Sequence, residues 1–128
     1  MPQSGGGNIK TYRDLVAWQK AISLAEIVYG ATRDFPETER FGLVSQMRRA
    51  AVSVPANIAE GHGRGRKAEF RRFLGIARGS LFELQTHAEL ARRLGWLSGD
   101  SLNEVRERCH EVDAVLAGLI RAVDKWTA

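Results

Sequence analysis

The segment Gly61 to Arg72, G-H-G-R-G-R-K-A-E-F-R-R, has the residue types of a phosphate site. Glycines let backbone amides approach an anion, and a helix beginning near Lys67 adds partial positive charge at its N-terminus. Arg64, Arg66, Lys67, Arg71 and Arg72 supply the cationic donors. No G-K-[ST] follows, so this is not a P-loop, and a solvated basic surface loop is the competing reading. Just upstream, Ser53, Asn57 and Glu60 are spaced four and three apart and share one helix face. Pro55 lies inside the same helical pattern and cannot donate to the Ala51 carbonyl, which predicts a bent helix with a carbonyl freed for another partner. Glu60 falls level with Ala68 and Phe70 at the start of the following helix. Its carboxylate is expected to accept orphan amide protons there rather than act as a general base, because no nucleophile or water-activating group accompanies it.

Two further groups bear on chemistry. Glu107-x-x-His110 has the i, i+3 spacing of di-iron bundles, and His87 is expected to lie near it across a helical hairpin. A second E-x-x-H is absent and the first helix offers only Glu26, so no metal site is assigned and no cofactor is implied. The lone Cys109 excludes an intramolecular disulfide and fits a reducing compartment; its place in an apolar helical stripe favours a core thiol over a nucleophile. No set of nucleophile, base and orienter emerges, so no catalytic residue is assigned and a non-enzymatic role is expected.

The elements that must position these residues are helices. Residues 1–9, rich in glycine and polar, are expected to form a disordered arm, leaving 10–128 as one domain. The first helix is predicted over Tyr12 to Thr32, with Leu15, Trp18, Ile22, Ala25 and Tyr29 as its seam, and Asp34 to Pro36 as its stop. The second carries Val44, Met47, Ala51, Val54 and Ile58 at the same spacing and ends where Gly61, Gly63 and Gly65 break the pattern. The third begins near Lys67, keeps Phe70, Leu74, Ala77, Leu81, Leu84, Ala88 and Ala91 on one seam, and ends at a left-handed Gly95 with Trp96 folded back. The fourth starts between Ser98 and Ser101, with an expected Ser101–Glu104 capping box, and its heptad seam runs from Leu102 to Trp126.

Short connections between four such helices predict an all-α, antiparallel, up-down-up-down four-helix bundle. A hairpin turning near Gly63 sets Ala50, Ala51 and Ser53 opposite Gly75 to Gly79, whose spacing suits close backbone approach. The same register sets Glu83 beside Arg48 and Asn57 beside Arg72. At the pole where the second helix ends and the third begins, nine cations face four carboxylates, a net of +5; the other pole nets −1.

S-V-P-A-N-I-A-E-G (Ser53 to Gly61), F-L-G-I-A-R-G-S-L-F-E-L (Phe73 to Leu84) and Y-R-D-L-V-A-W-Q-K-A (Tyr12 to Ala21) resemble the four-helix-bundle family named for proteins encoded in 23S rRNA intervening sequences. Ser53, Pro55, Asn57, Glu60 and Gly61 form the polar motif of that resemblance. Two positions depart from it: Arg66 stands where members often carry a Ser or Thr cap, and His62 where an aromatic is common. The resemblance implies a ring-shaped homopentamer, which would gather five basic poles on one face. It also implies a link to rRNA gene insertions and to basic accessory proteins of reverse-transcribing elements.

At 128 residues and 44% hydrophobic, the chain can bury one core without staples. Its net charge of +4 permits phosphate-rich partners. The N-terminal residues lack a signal-peptide pattern and no apolar run is of membrane-spanning length, so a cytoplasmic protein with no membrane partner is expected. The favoured function is a homo-oligomeric scaffold or adaptor binding nucleic acid, RNA above all, through the basic pole. The alternative is a protein–protein assembly module with no nucleic-acid role. Val16, Leu24 and Phe82, off the predicted seams, would be exposed in a monomer.

Overall fold

The computed structural model describes residues 9–127, so the expected N-terminal arm lies outside the described residues apart from Ile9, which packs against the core. The described chain is all-α: α1 (Val16–Thr32), α2 (Leu43–Gly63), α3 (Lys67–Arg93) and α4 (Gly99–Asp124), with short 3-10 turns at Tyr12–Asp14 and Glu37–Glu39 and no strand among the described residues. Each helix packs on two others, α1 on α2, α2 on α3, α3 on α4 and α4 on α1, around one shared core. Lys67, which opens α3, bonds the carbonyls of Asp124 and Trp126 at the end of α4, and Arg78 pairs with Asp113 further along the same two helices. Thr32, which ends α1, accepts from Arg48 near the start of α2.

The seams of α2, α3 and α4 are buried as their spacing predicts, with Met47, Val54, Ile58, Leu74, Leu81, Val105 and Leu116 wholly enclosed. The first helix differs. Tyr12–Asp14 is a separate 3-10 turn, because Asp14 Oδ2 accepts from the amides of Lys10 (2.9 Å) and Thr11 (3.1 Å) and Leu15 is extended. The α-helix starts only at Val16, and its buried face is Ala17, Ala21, Leu24, Ala25, Val28 and Thr32. Leu24 is therefore core rather than exposed, while Tyr29 is exposed and Trp18 lies at the flank, edge-on to Tyr12. Small alanines admit the neighbouring helices, so they and not the largest side chains mark this seam.

Helix ends follow local chemistry. Gly95, at φ +83°, ends α3 with Gly95 N–H donating to Arg92 O and Trp96 N–H to Ala91 O, the paired bonds of a Schellman motif. Trp96 then folds back against Phe35. At the start of α4 the cap is Ser98, whose hydroxyl accepts from the Ser101 amide, so Ser101 lies inside the first turn and the expected Ser101–Glu104 box does not form. Helix α2 runs on through Gly61 to Gly63, and the left-handed Gly65 (φ +72°) makes the turn. Pro55 is accommodated and buried within α2.

The α2–α3 register differs by about one turn from the expected one. Ser53 meets Ser80 (Oγ to Oγ, 2.9 Å), and Asn57 Nδ2 donates to both the hydroxyl and the carbonyl of Ser53 at 2.8 Å. Ser80 donates to Ile76 O, which leaves Ser53 as donor in the serine pair. Asn57 is thus committed to Ser53 and not to Arg72, and Arg48 to Thr32 and the Tyr29 carbonyl and not to Glu83. The close helix approach moves too. A Cβ on Gly61 would lie 2.6 Å from Phe73 Cβ and 3.2 Å from Phe70 Cδ1, whereas Gly79 has open space and Gly75 meets only an Arg71 nitrogen at 3.8 Å. Gly75 and Gly79 face solvent, so the tight contact expected there is made at Gly61.

Substitution by alanine separates these glycines. Gly61→Ala must displace Phe73 at its Cβ and should destabilise by about 1–3 kcal/mol, as overpacking does. Gly79→Ala fills open space and should stabilise by roughly 0.5–1 kcal/mol through helix propensity. Urea denaturation midpoints measure both, and equal shifts for the two would contradict this placement of the close contact.

Candidate nucleic-acid interface

The cationic segment spans the end of α2, the turn at Gly65 and the first turns of α3. Its geometry starts from Gly61, which lets the Phe73 ring lie against α2. Arg64 (5.2 Å) and Arg72 (4.5 Å) then stack over that buried ring. Arg64 donates to Glu60 (2.6 Å) and lies 3.7 Å from Glu69, while Arg72 Nε bonds Glu69 (2.9 Å). Arg71 Nε bonds Asp124 (3.1 Å). Lys67 Nζ donates to the carbonyls of Asp124 (3.1 Å) and Trp126 (2.8 Å), a cation at the negative end of α4. Only Arg66 among the five has neither an ion pair nor a side-chain hydrogen bond among the described residues.

The five predicted residues are therefore together, but four of them also hold the fold. Glu60 does not cap α3 as expected: its carboxylate is taken by Arg64 one turn along α2. The α3 N-terminus carries no side-chain cap at Arg66 and has Glu69 in its first turn instead. The Arg72 guanidinium holds the Glu69 carboxyl below the usual range, and donating to the Glu60 carboxylate raises Arg64 above its own. His62, at the position where the resemblance leads one to expect an aromatic, packs edge-on to Phe70 at 5.6 Å and so does an aromatic's work.

Chemically the pole can do two things. Arg71 and Arg72 are bonded through Nε alone, so their terminal amino groups can still meet phosphate oxygens. Stacking on Phe73 and pairing to Glu69 also fix the Arg72 side chain, which lowers the entropy lost when an anion binds. The other sequence candidates are placed otherwise. Cys109 is wholly buried and its thiol is pushed up to about 12, chiefly by that burial, so it is no nucleophile. His87 bonds Glu83 on its own helix, and no cluster among the described residues could hold a metal ion. No described helix is long and apolar enough to cross a membrane.

Sequence reasoning missed a second cationic region. Arg40, Arg48 and Arg49 line a groove between α1 and α2 with Tyr29 and Phe41. The signal lies in Tyr29 and Phe41, aromatics on either side of the α1–α2 connection with arginines close by in sequence, but Tyr29 falls on the predicted core seam.

Comparison with solved structures places the fold among known ones. A crystal structure of a protein with unknown function from the S23 ribosomal protein family, from Bacteroides thetaiotaomicron, superposes with a TM-score of 0.76. It shares 21% identity over 83% of this chain and 96% of its own length, a likeness of fold. A search of curated proteins returns no match. The family model for 23S rRNA-intervening sequence proteins matches residues 13–118, which take in most of the first turn, all of α1 to α3 and most of α4. The chain belongs to the 23S rRNA-intervening sequence protein family.

Proposed function

We propose that the protein is a non-enzymatic, cytoplasmic, homo-oligomeric scaffold that binds nucleic acid, RNA above all, through its basic pole. In this reading the helices run up, down, up and down, which brings the segment leading into α1, the start of α3 and the ends of α2 and α4 together. The contact of Lys67 with the end of α4 supports that arrangement. The observation that carries the proposal is the charge excess there: nine cations against four carboxylates, with Arg71 and Arg72 fixed by Nε and their outer nitrogens left to solvent. A polyanion gains from such a surplus by releasing its counterions, and it needs no sequence-reading element to do so.

Oligomerisation in this reading uses apolar surface that the monomer leaves open. Val16 and Phe82 are each 52% exposed, and Gly75 and Gly79 lie bare beside Phe82. A homopentamer, as the family resemblance implies, would cover such surface and set five basic poles side by side. A protein–protein assembly module without nucleic acid would use the same apolar surface and leave the pole idle.

Two measurements test these statements. Light scattering at micromolar concentration should give a closed oligomer, and a monomer mass across dilutions would remove the scaffold reading. For the pole, Arg66, Arg121 and Lys125 are the cations to change to Gln, because no ion pair among the described residues ties them to the fold. That triple variant should weaken RNA binding and lower its salt slope by about one for each phosphate it no longer neutralises. Arg33, Arg92 and Arg93 changed to Gln at the other end form the charge-matched control. Equal losses from both triples would reduce binding to net charge, and no binding by the unmodified protein at about 50 mM salt would contradict the nucleic-acid function.

A further inference from the structure

The groove between α1 and α2 is a surface feature that neither the fold nor the basic pole explains. It encloses about 560 Å³, and its walls carry three arginines, two aromatics and no carboxylate. Phe41 is 88% exposed, with the Arg40 guanidinium 5.4 Å from its ring centre. Tyr29 is 44% exposed and lies under the Arg48 guanidinium, 4.4 Å from its ring centre. Arg48 is held there by Thr32 Oγ1 (3.0 Å) and the Tyr29 carbonyl (3.3 Å), neutral partners that leave its charge uncompensated. Arg49 has no ion pair among the described residues, and Arg40 has only a solvated contact with Glu37 at 3.6 Å.

Positive charge interleaved with exposed π-faces is the chemistry of a single-stranded nucleic-acid path. Phosphates meet guanidinium groups while unstacked bases lie on aromatic rings, an arrangement a duplex cannot use because its bases are already stacked. A second copy of this chain is the rival occupant, and charge argues against it. Two such grooves face to face would oppose three arginines to three.

We infer that the α1–α2 groove binds single-stranded nucleic acid, with a base stacked on Phe41 and phosphates on Arg40 and Arg49, while Arg48 over Tyr29 forms the fixed wall of the path. This deepens the nucleic-acid reading and rests on it, adding a strand-selective contact to the unselective charge of the pole. Ser45, on the same wall, supplies a hydroxyl for the sugar or phosphate.

The test uses the full chain with a labelled oligouridylate of about twelve nucleotides and an RNA duplex of equal length, at about 50 mM salt. Phe41→Ala and Arg49→Gln should each weaken single-strand binding by about tenfold and change duplex binding by less than about twofold, and Phe41→Trp should restore the single-strand affinity. The pole variant should instead weaken both nucleic acids. If the groove variants leave single-strand affinity unchanged while the pole variant lowers it, the groove inference is overturned and the nucleic-acid reading stands. Equal loss for single strand and duplex also overturns it, since stacking would then contribute nothing. A fall in particle mass with Phe41→Ala identifies the groove as a contact between copies and overturns it as well. Binding of neither nucleic acid by the unmodified protein removes both readings.

Discussion

The absent side chain at Gly61 sets the geometry on which the rest of the basic pole depends. Because nothing stands between α2 and Phe73 Cβ, the two helices approach closely enough for the Phe73 ring to be buried at their junction. The ring then offers a surface on which Arg64 and Arg72 stack, and Glu60 and Glu69 fix those arginines from either side. A close-packed interior transmits such a constraint, since a shift of one helix must move whatever rests on it. Lys67 and Arg71 then carry the constraint on to α4 by bonding its last carbonyls and Asp124.

Further along the same helix pair, the Ser53–Ser80 hydrogen bond fixes the register, and Asn57 holds Ser53 from within α2. Buried or half-buried polar groups need partners, so a slip of one turn would separate Ser53 from Ser80 and leave the serine pair unmatched. Apolar seams alone tolerate sliding more readily, because a leucine finds a similar environment one heptad away. The polar motif therefore chooses the register, and the glycine chooses the distance.

Much of the fold was legible in the sequence. Three of the four seams, the Gly95 stop and the start of α3 at Lys67 followed from periodicity and glycine placement, since those features are local. The α1 seam was not legible, because Trp18 and Tyr29 promised more burial than Ala17 and Ala21, and only the shape of the neighbouring helices decides between them. The roles of Gly61, Gly75 and Gly79 were exchanged for a related reason. Composition marks a helix glycine as unusual, but what stands opposite it depends on a register set by contacts between the two helices such as Ser53 with Ser80. For the candidate site, the residue types of the pole were readable, while their mutual pairing was not. Ion pairs such as Arg71 with Asp124 join positions far apart in the chain. The groove of Arg40, Arg48 and Arg49 stayed hidden because its two aromatics come from different helical neighbourhoods.

A double-mutant cycle on Gly61 and Phe73 tests the central dependence most directly. Gly61→Ala, measured in the natural chain and again in a Phe73→Ala background, isolates the coupling between the two positions. If the missing Cβ exists to admit Phe73, the cost of the alanine should largely vanish in the second background, giving a coupling of roughly 1–3 kcal/mol. Additive effects within about 0.5 kcal/mol would contradict the account and show that Gly61 and Phe73 act independently.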